Sequence, residues 1–149
     1  MKKILLALSL LLVLVGCAVE DSPESYFSIA LNEIEEAENY QTHLVLKQDE
    51  MILLEMDYTK GEEVSDDTKA LMQFEYSMIF SDFTKEENAI VCEILPENSP
   101  TLTSLIANYT DEPVETITHS MYLKDYSLDY VVMELKTTTQ TFECTISVK

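Results

Sequence analysis

The chain has 149 residues, with nine lysines and no arginine against 28 acids, a formal charge of −19 and a hydrophobic fraction of 46%. So acidic a surface repels nucleic acid and anionic headgroups, and without arginine it lacks the bidentate clamp that phosphate recognition uses. Nucleic-acid binding is therefore excluded; the charge first of all serves solubility as a solvated surface, and a cationic peptide, a basic partner or divalent ions are the partners it would attract.

Met1 is followed by Lys2 and Lys3, and then by a run from Ile4 to Val15 in which Ser9 is the only polar residue. That run falls short of the roughly 20 apolar residues that span a bilayer, and its charged start and small residue before the break are the layout of a secretory signal peptide. Leu14-Val15-Gly16-Cys17 resembles the lipobox of bacterial lipoproteins. The resemblance implies cleavage between Gly16 and Cys17, a diacylglyceryl group on the Cys17 sulfur, and a freed amine open to further acylation. Two or more chains make a lasting anchor, since a single short chain holds a membrane only marginally. On this reading residues 1–16 are the signal peptide, 17–22 the lipidated anchor with a short tether, and 23–149 a single α+β domain on the extracytoplasmic face of a cell membrane. The lack of arginine and tryptophan fits an AT-rich genome and a Gram-positive cell. All 28 acids but only seven lysines follow Gly16, so the mature charge is −21.

Ser22-Pro23-Glu24 is a helix start, with serine at the N-cap, proline in the first turn and an acid beside the dipole's positive end. Phe27, Ala30, Leu31, Ile34 and Ala37 continue at helical spacing, which predicts an amphipathic helix from about Pro23 to Asn39. Its acids, Glu33, Glu35, Glu36 and Glu38, crowd the end where the dipole disfavours them, so packing must hold it.

From Tyr40 the apolar period shortens toward two. Leu44 to Leu46 and Met51 to Met56 read as strands joined through Gln48-Asp49-Glu50, and Phe74, Tyr76, Met78 and Phe80 alternate as a third. Lys60 to Thr68, which holds Gly61 and four acids, is expected to be a solvated loop. Ala89 to Leu95 is a fourth strand, Ser99-Pro100 starts a short second helix, and three strands follow at about Thr116 to Leu123, Ser127 to Lys136 and Thr139 to Val148. This order predicts an α+β fold, with the N-terminal helix packed on a mainly antiparallel, curved sheet of about seven strands.

Cys92 lies between Ile90 and Ile94, and Cys144 between Phe142 and Ile146, so both point to the apolar side of their strands. In an exported protein such a pair is expected to form a structural disulfide. His43 and His119 each stand alone in a predicted strand and are expected at the surface or in cross-strand contacts. There is no His-Glu-x-x-His, no Gly-x-Ser-x-Gly and no glycine-rich loop. Asp66-Asp67 and Asp111-Glu112 lack the spacing of a calcium loop. No cofactor is implied. Among so many acids a carboxylate pair of hydrolase geometry carries no specificity, so an uncharacterised hydrolase is the weakest reading.

The helix ending in Ala37-Glu38-Asn39-Tyr40, followed at once by alternating strands, resembles the start of the periplasmic lipoprotein-carrier fold, an unclosed sheet that binds apolar molecules beneath its helices. That resemblance covers about 30 residues and carries over no functional residue. The expectation is thus a membrane-anchored lipoprotein with a non-enzymatic binding or structural role, taking an apolar ligand. The alternative is an interaction module of the cell envelope with a cationic partner.

Overall fold

The computed structural model describes residues 22–72, 80–86, 88–125 and 127–149. The lipobox, Cys17 and most of the strand expected from Phe74 to Phe80 lie outside these residues.

Helix α1 spans Pro23–Glu36, and Ser22 caps it by accepting from the Ser25 N–H at 3.2 Å. It ends three residues earlier than its periodicity suggests, because Ala37 turns extended to lead into the sheet. Phe27, Ala30 and Ile34 are buried beneath it. Burying a phenylalanine or isoleucine contributes about 1.5–3 kcal/mol each, enough to hold a helix whose charge pattern works against its dipole.

Strands β1 (Gln41–Gln48) and β2 (Met51–Thr59) form a hairpin across Asp49-Glu50, with Asp49 in the left-handed region at φ 55°. Asp125 plays the same part between β5 (Thr116–Lys124) and β6 (Ser127–Lys136), at φ 52°. Aspartate tolerates this conformation better than most side chains. Gly61, at φ 96°, sits in a turn whose backbone favours glycine.

Asp66–Met72 forms a helix, α2, whose first turn falls in the segment expected to be a loop. Ser65 caps it, accepting from the Thr68 N–H at 3.2 Å, while Asp66 and Asp67 face the helix dipole and Leu71 and Met72 are buried. The expected loop is thus corrected to a shorter loop and a third helix. Strands β3 (Phe80–Lys85) and β4 (Ala89–Ile94) follow, then α3 (Pro100–Ala107), and β7 (Thr141–Val148) closes the chain.

The sheet has seven strands in the order β2-β1-β7-β6-β5-β4-β3, and every pairing is antiparallel. Strands β3 to β7 form a meander, and β7 joins it to the N-terminal hairpin by pairing with β1. The sheet is open, with β2 and β3 as its two edges. The helices cover one face, and this is the α+β architecture expected from the sequence.

One transverse row of that inner face corrects two expectations. Register places Leu46, Cys144, Met133, His119 and Cys92 opposite one another on five consecutive strands, and none is more than 1% exposed. Cys92 and Cys144 are therefore three strand spacings apart, about 14 Å at ~4.8 Å each. A disulfide requires Cα atoms within about 7 Å, and both cysteines are free thiols. His119, expected at the surface or in cross-strand contacts, takes the cross-strand place but on the buried face.

Candidate functional site

The groups that carry chemistry in most proteins serve packing here. Phe27 of α1 fits edge-on between Phe83 of β3 and His119 of β5, with ring centroids 5.3 and 5.8 Å away. Burial pushes the His119 pKa down to about 3, so the imidazole is neutral at physiological pH. Its Nδ1 lies 3.9 Å from the Cys92 Sγ. Burial pushes the Cys92 thiol up to about 12, and burial followed by the neighbouring Glu143 charge does the same at Cys144. Both sulfurs are therefore held as neutral thiols at physiological pH.

Among the described residues the space beneath α1 is filled by side chains. Phe27, Ala30 and Ile34 meet Leu44, Met121 and Val131 in one core cluster, each of these side chains at most 7% exposed. Openings lie at the margins instead. A cleft of about 370 Å³ beside the start of α1 is lined by Tyr26, Lys85, Glu86, Asn88, Leu123 and Asp125, with the Lys85 ammonium over the Tyr26 ring at 4.4 Å. A smaller one of about 170 Å³, where β2 meets α2 and α3, is lined by Leu54, Met56, Leu71, Leu105 and Asn108 among others.

The outer face carries the polar half of each strand. His43 on β1 reaches Asp57 on β2 at 2.9 Å through Nδ1, and Glu55 at 3.4 Å through Nε2. Lys149 reaches the same Asp57 carboxylate at 3.1 Å. Hydrogen bonds from Lys149 and then His43 hold the Asp57 carboxyl below its ordinary range. Tyr122 and Tyr130 stack across β5 and β6 at 4.4 Å. His43 thus keeps the cross-strand place expected of it.

Of the acid pairs noted in the sequence, Asp66-Asp67 lies in the first turn of α2. Glu112 accepts from the hydroxyls of Thr137 and Thr139 at 2.6 and 2.7 Å and from the Thr139 N–H at 3.1 Å, tying the β6–β7 turn to the segment after α3. Those bonds, the Thr137 hydroxyl first, lower its pKa. Among the described residues no three His, Cys, Asp or Glu side chains converge as a metal site, and no helix is long and apolar enough to cross a membrane.

What sequence reasoning missed is the β2 edge. Between Asp49 and Asp67 there are eight acids and one lysine, Lys60, and the strand in their midst is unpaired on its outer side among the described residues. Met51 and Ile52 at its start are more than half exposed. The charge run was legible in the sequence, whereas the edge position follows only from the sheet order. Comparison with protein-family models, with curated proteins and with solved structures returned no match.

Proposed function

We propose that the chain is a lipoprotein, anchored through Cys17 on the extracytoplasmic face of the membrane, that binds a protein partner at its surface. The observation that supports surface over interior is that, among the described residues, side chains fill the space beneath α1. An apolar ligand carrier requires room between helix and sheet, and Phe27, Ala30 and Ile34 occupy it. With His119, Cys92 and Cys144 committed to the core, the exposed acids and the outer edge of β2 are, among the described residues, the groups that suit recognition of a partner.

The test uses the full chain expressed with its own leader in a bacterium and fed a fatty-acid analogue. The expected result is label on the wild type and none on Cys17→Ala, which leaves the membrane fraction. An unlabelled wild type would remove the anchor. A fluorescent fatty acid titrated into the purified protein is expected to show no saturable binding. Saturable one-to-one uptake would restore the carrier reading.

A further inference from the structure

We propose that the outer edge of β2 takes an extended, cationic polypeptide segment as an eighth strand. This deepens the surface-binding reading and rests on it. The first support is backbone geometry. The Lys60 N–H donates to the Tyr40 carbonyl at 3.0 Å, which sets the alternation of the β1–β2 ladder. Residues 54, 56 and 58 therefore turn their backbone groups toward β1, and Glu55, Asp57 and Thr59 turn theirs outward. Thr59 is closed off by its own turn, since its N–H donates to Glu62 Oε2 at 3.2 Å and its carbonyl accepts from the Glu62 N–H at 3.0 Å. Glu55 and Asp57 present the donors and acceptors on which a further strand can pair.

Charge selects the occupant. Of the residues from Asp49 to Asp67, eight are acids, and the only lysine has its ammonium held by the carbonyls at the end of α1. A second copy of this chain pairing along β2 would set Glu55 and Asp57 against acids, and like charges directly opposite destabilise a sheet. A strand with lysine or arginine at alternate positions meets them with opposite charge. The same acids that keep the edge from joining its own kind make it selective for basic sequence.

The other side of the new strand has a place as well. Leu54 and Met56 point to the inner face at the β2 edge, where with Leu71 and Leu105 they line the 170 Å³ cleft. Residues of the incoming strand that alternate with its cations fall over that cleft, so its pattern is cation, apolar, cation. The opposite edge is less suited, because β3 has an irregular register between Ser81 and Thr84.

The test titrates the full chain in neutral detergent with a nine-residue peptide alternating lysine and valine. A second peptide is N-methylated on its lysine amides, which keeps the charge and removes the donors facing β2. The expected result is binding at low salt, slowed amide exchange at Glu55 and Asp57, and at least a tenfold loss of affinity on N-methylation. Glu55→Lys, alone or with Asp57→Lys, is expected to weaken binding at least tenfold while the unfolding midpoint reports that the domain is folded. Equal affinity for the two peptides, or no binding of either, overturns the proposal. Binding with protection on another face overturns the β2 assignment and leaves the surface-binding reading standing, whereas saturable fatty-acid uptake is the separate result that removes that reading.

Discussion

The Lys60 ammonium donates to the Ala37 carbonyl at 2.6 Å, and to that of Glu35 at 2.8 Å, so a residue from the far end of the β1–β2 hairpin caps the end of α1. The helix ends in a crowd of acids with no basic residue in its last turn. Lys60 supplies the positive charge that the dipole favours there, and its alkyl chain brings the ammonium to 5.4 Å from the Tyr40 ring centre. Lys60→Met is expected to lower stability by about 1–2 kcal/mol, the worth of charge-assisted bonds at a helix end. Urea unfolding checks it, and an unchanged midpoint would show that the cap contributes nothing.

Acid should destabilise the fold through His119. Its folded pKa, near 3, is below the ordinary value of 6.5, so the folded state disfavours protonation. Its stabilising effect is full above pH 6.5 and is lost as pH falls toward 3, at up to about 1.4 kcal/mol per pH unit. The carboxylates of Asp57 and Glu112, whose folded pKa values are lowered, act in the same direction at lower pH, and they remain when His119 is replaced. Stability measured against pH should therefore show the wild type losing stability relative to His119→Leu as pH drops from 6.5 toward 3. A constant difference between the curves would place the imidazole in solvent.

These two residues also show what the sequence makes legible. Period-two alternation locates β6 at Ser127–Lys136, and the Ser-Pro starts locate α1 and α3, because those signals are local. The same alternation carried a signal for His119 that went unread, since Ile117 and Met121 flank it on the apolar face. The Ser65 cap followed by Asp66 and Asp67 likewise marks α2. Strand order is not local. Nothing near Cys92 or Cys144 in sequence says that β5 and β6 stand between them, and nothing near Lys60 says that α1 ends beside it.

Reduction should leave the folded domain unchanged. With Cys92 and Cys144 three strands apart, native protein is expected to show both as free thiols that alkylate only after denaturant is added, and reductant should not move the unfolding midpoint. A fall of several degrees on reduction would mean that a bridge forms and that the sheet order is different.

Glu112 organises the β6–β7 turn through three bonds, so Glu112→Ala should speed amide exchange at Thr139, whose N–H it accepts. The effect should vanish as pH falls through the lowered Glu112 pKa, where the wild-type carboxylate also loses its charge. Exchange at Thr139 that is the same in both proteins at neutral pH would contradict this role.

A Cys17-anchored domain that works through its surface should carry nothing within. Native mass spectrometry of the full chain, released from membranes in neutral detergent, tests both halves at once. The expected species begins at Cys17, bears covalent diacylglycerol, and holds no apolar molecule non-covalently. A species still beginning at Met1 without lipid would contradict the anchor, and a stoichiometric non-covalent lipid would contradict the closed interior.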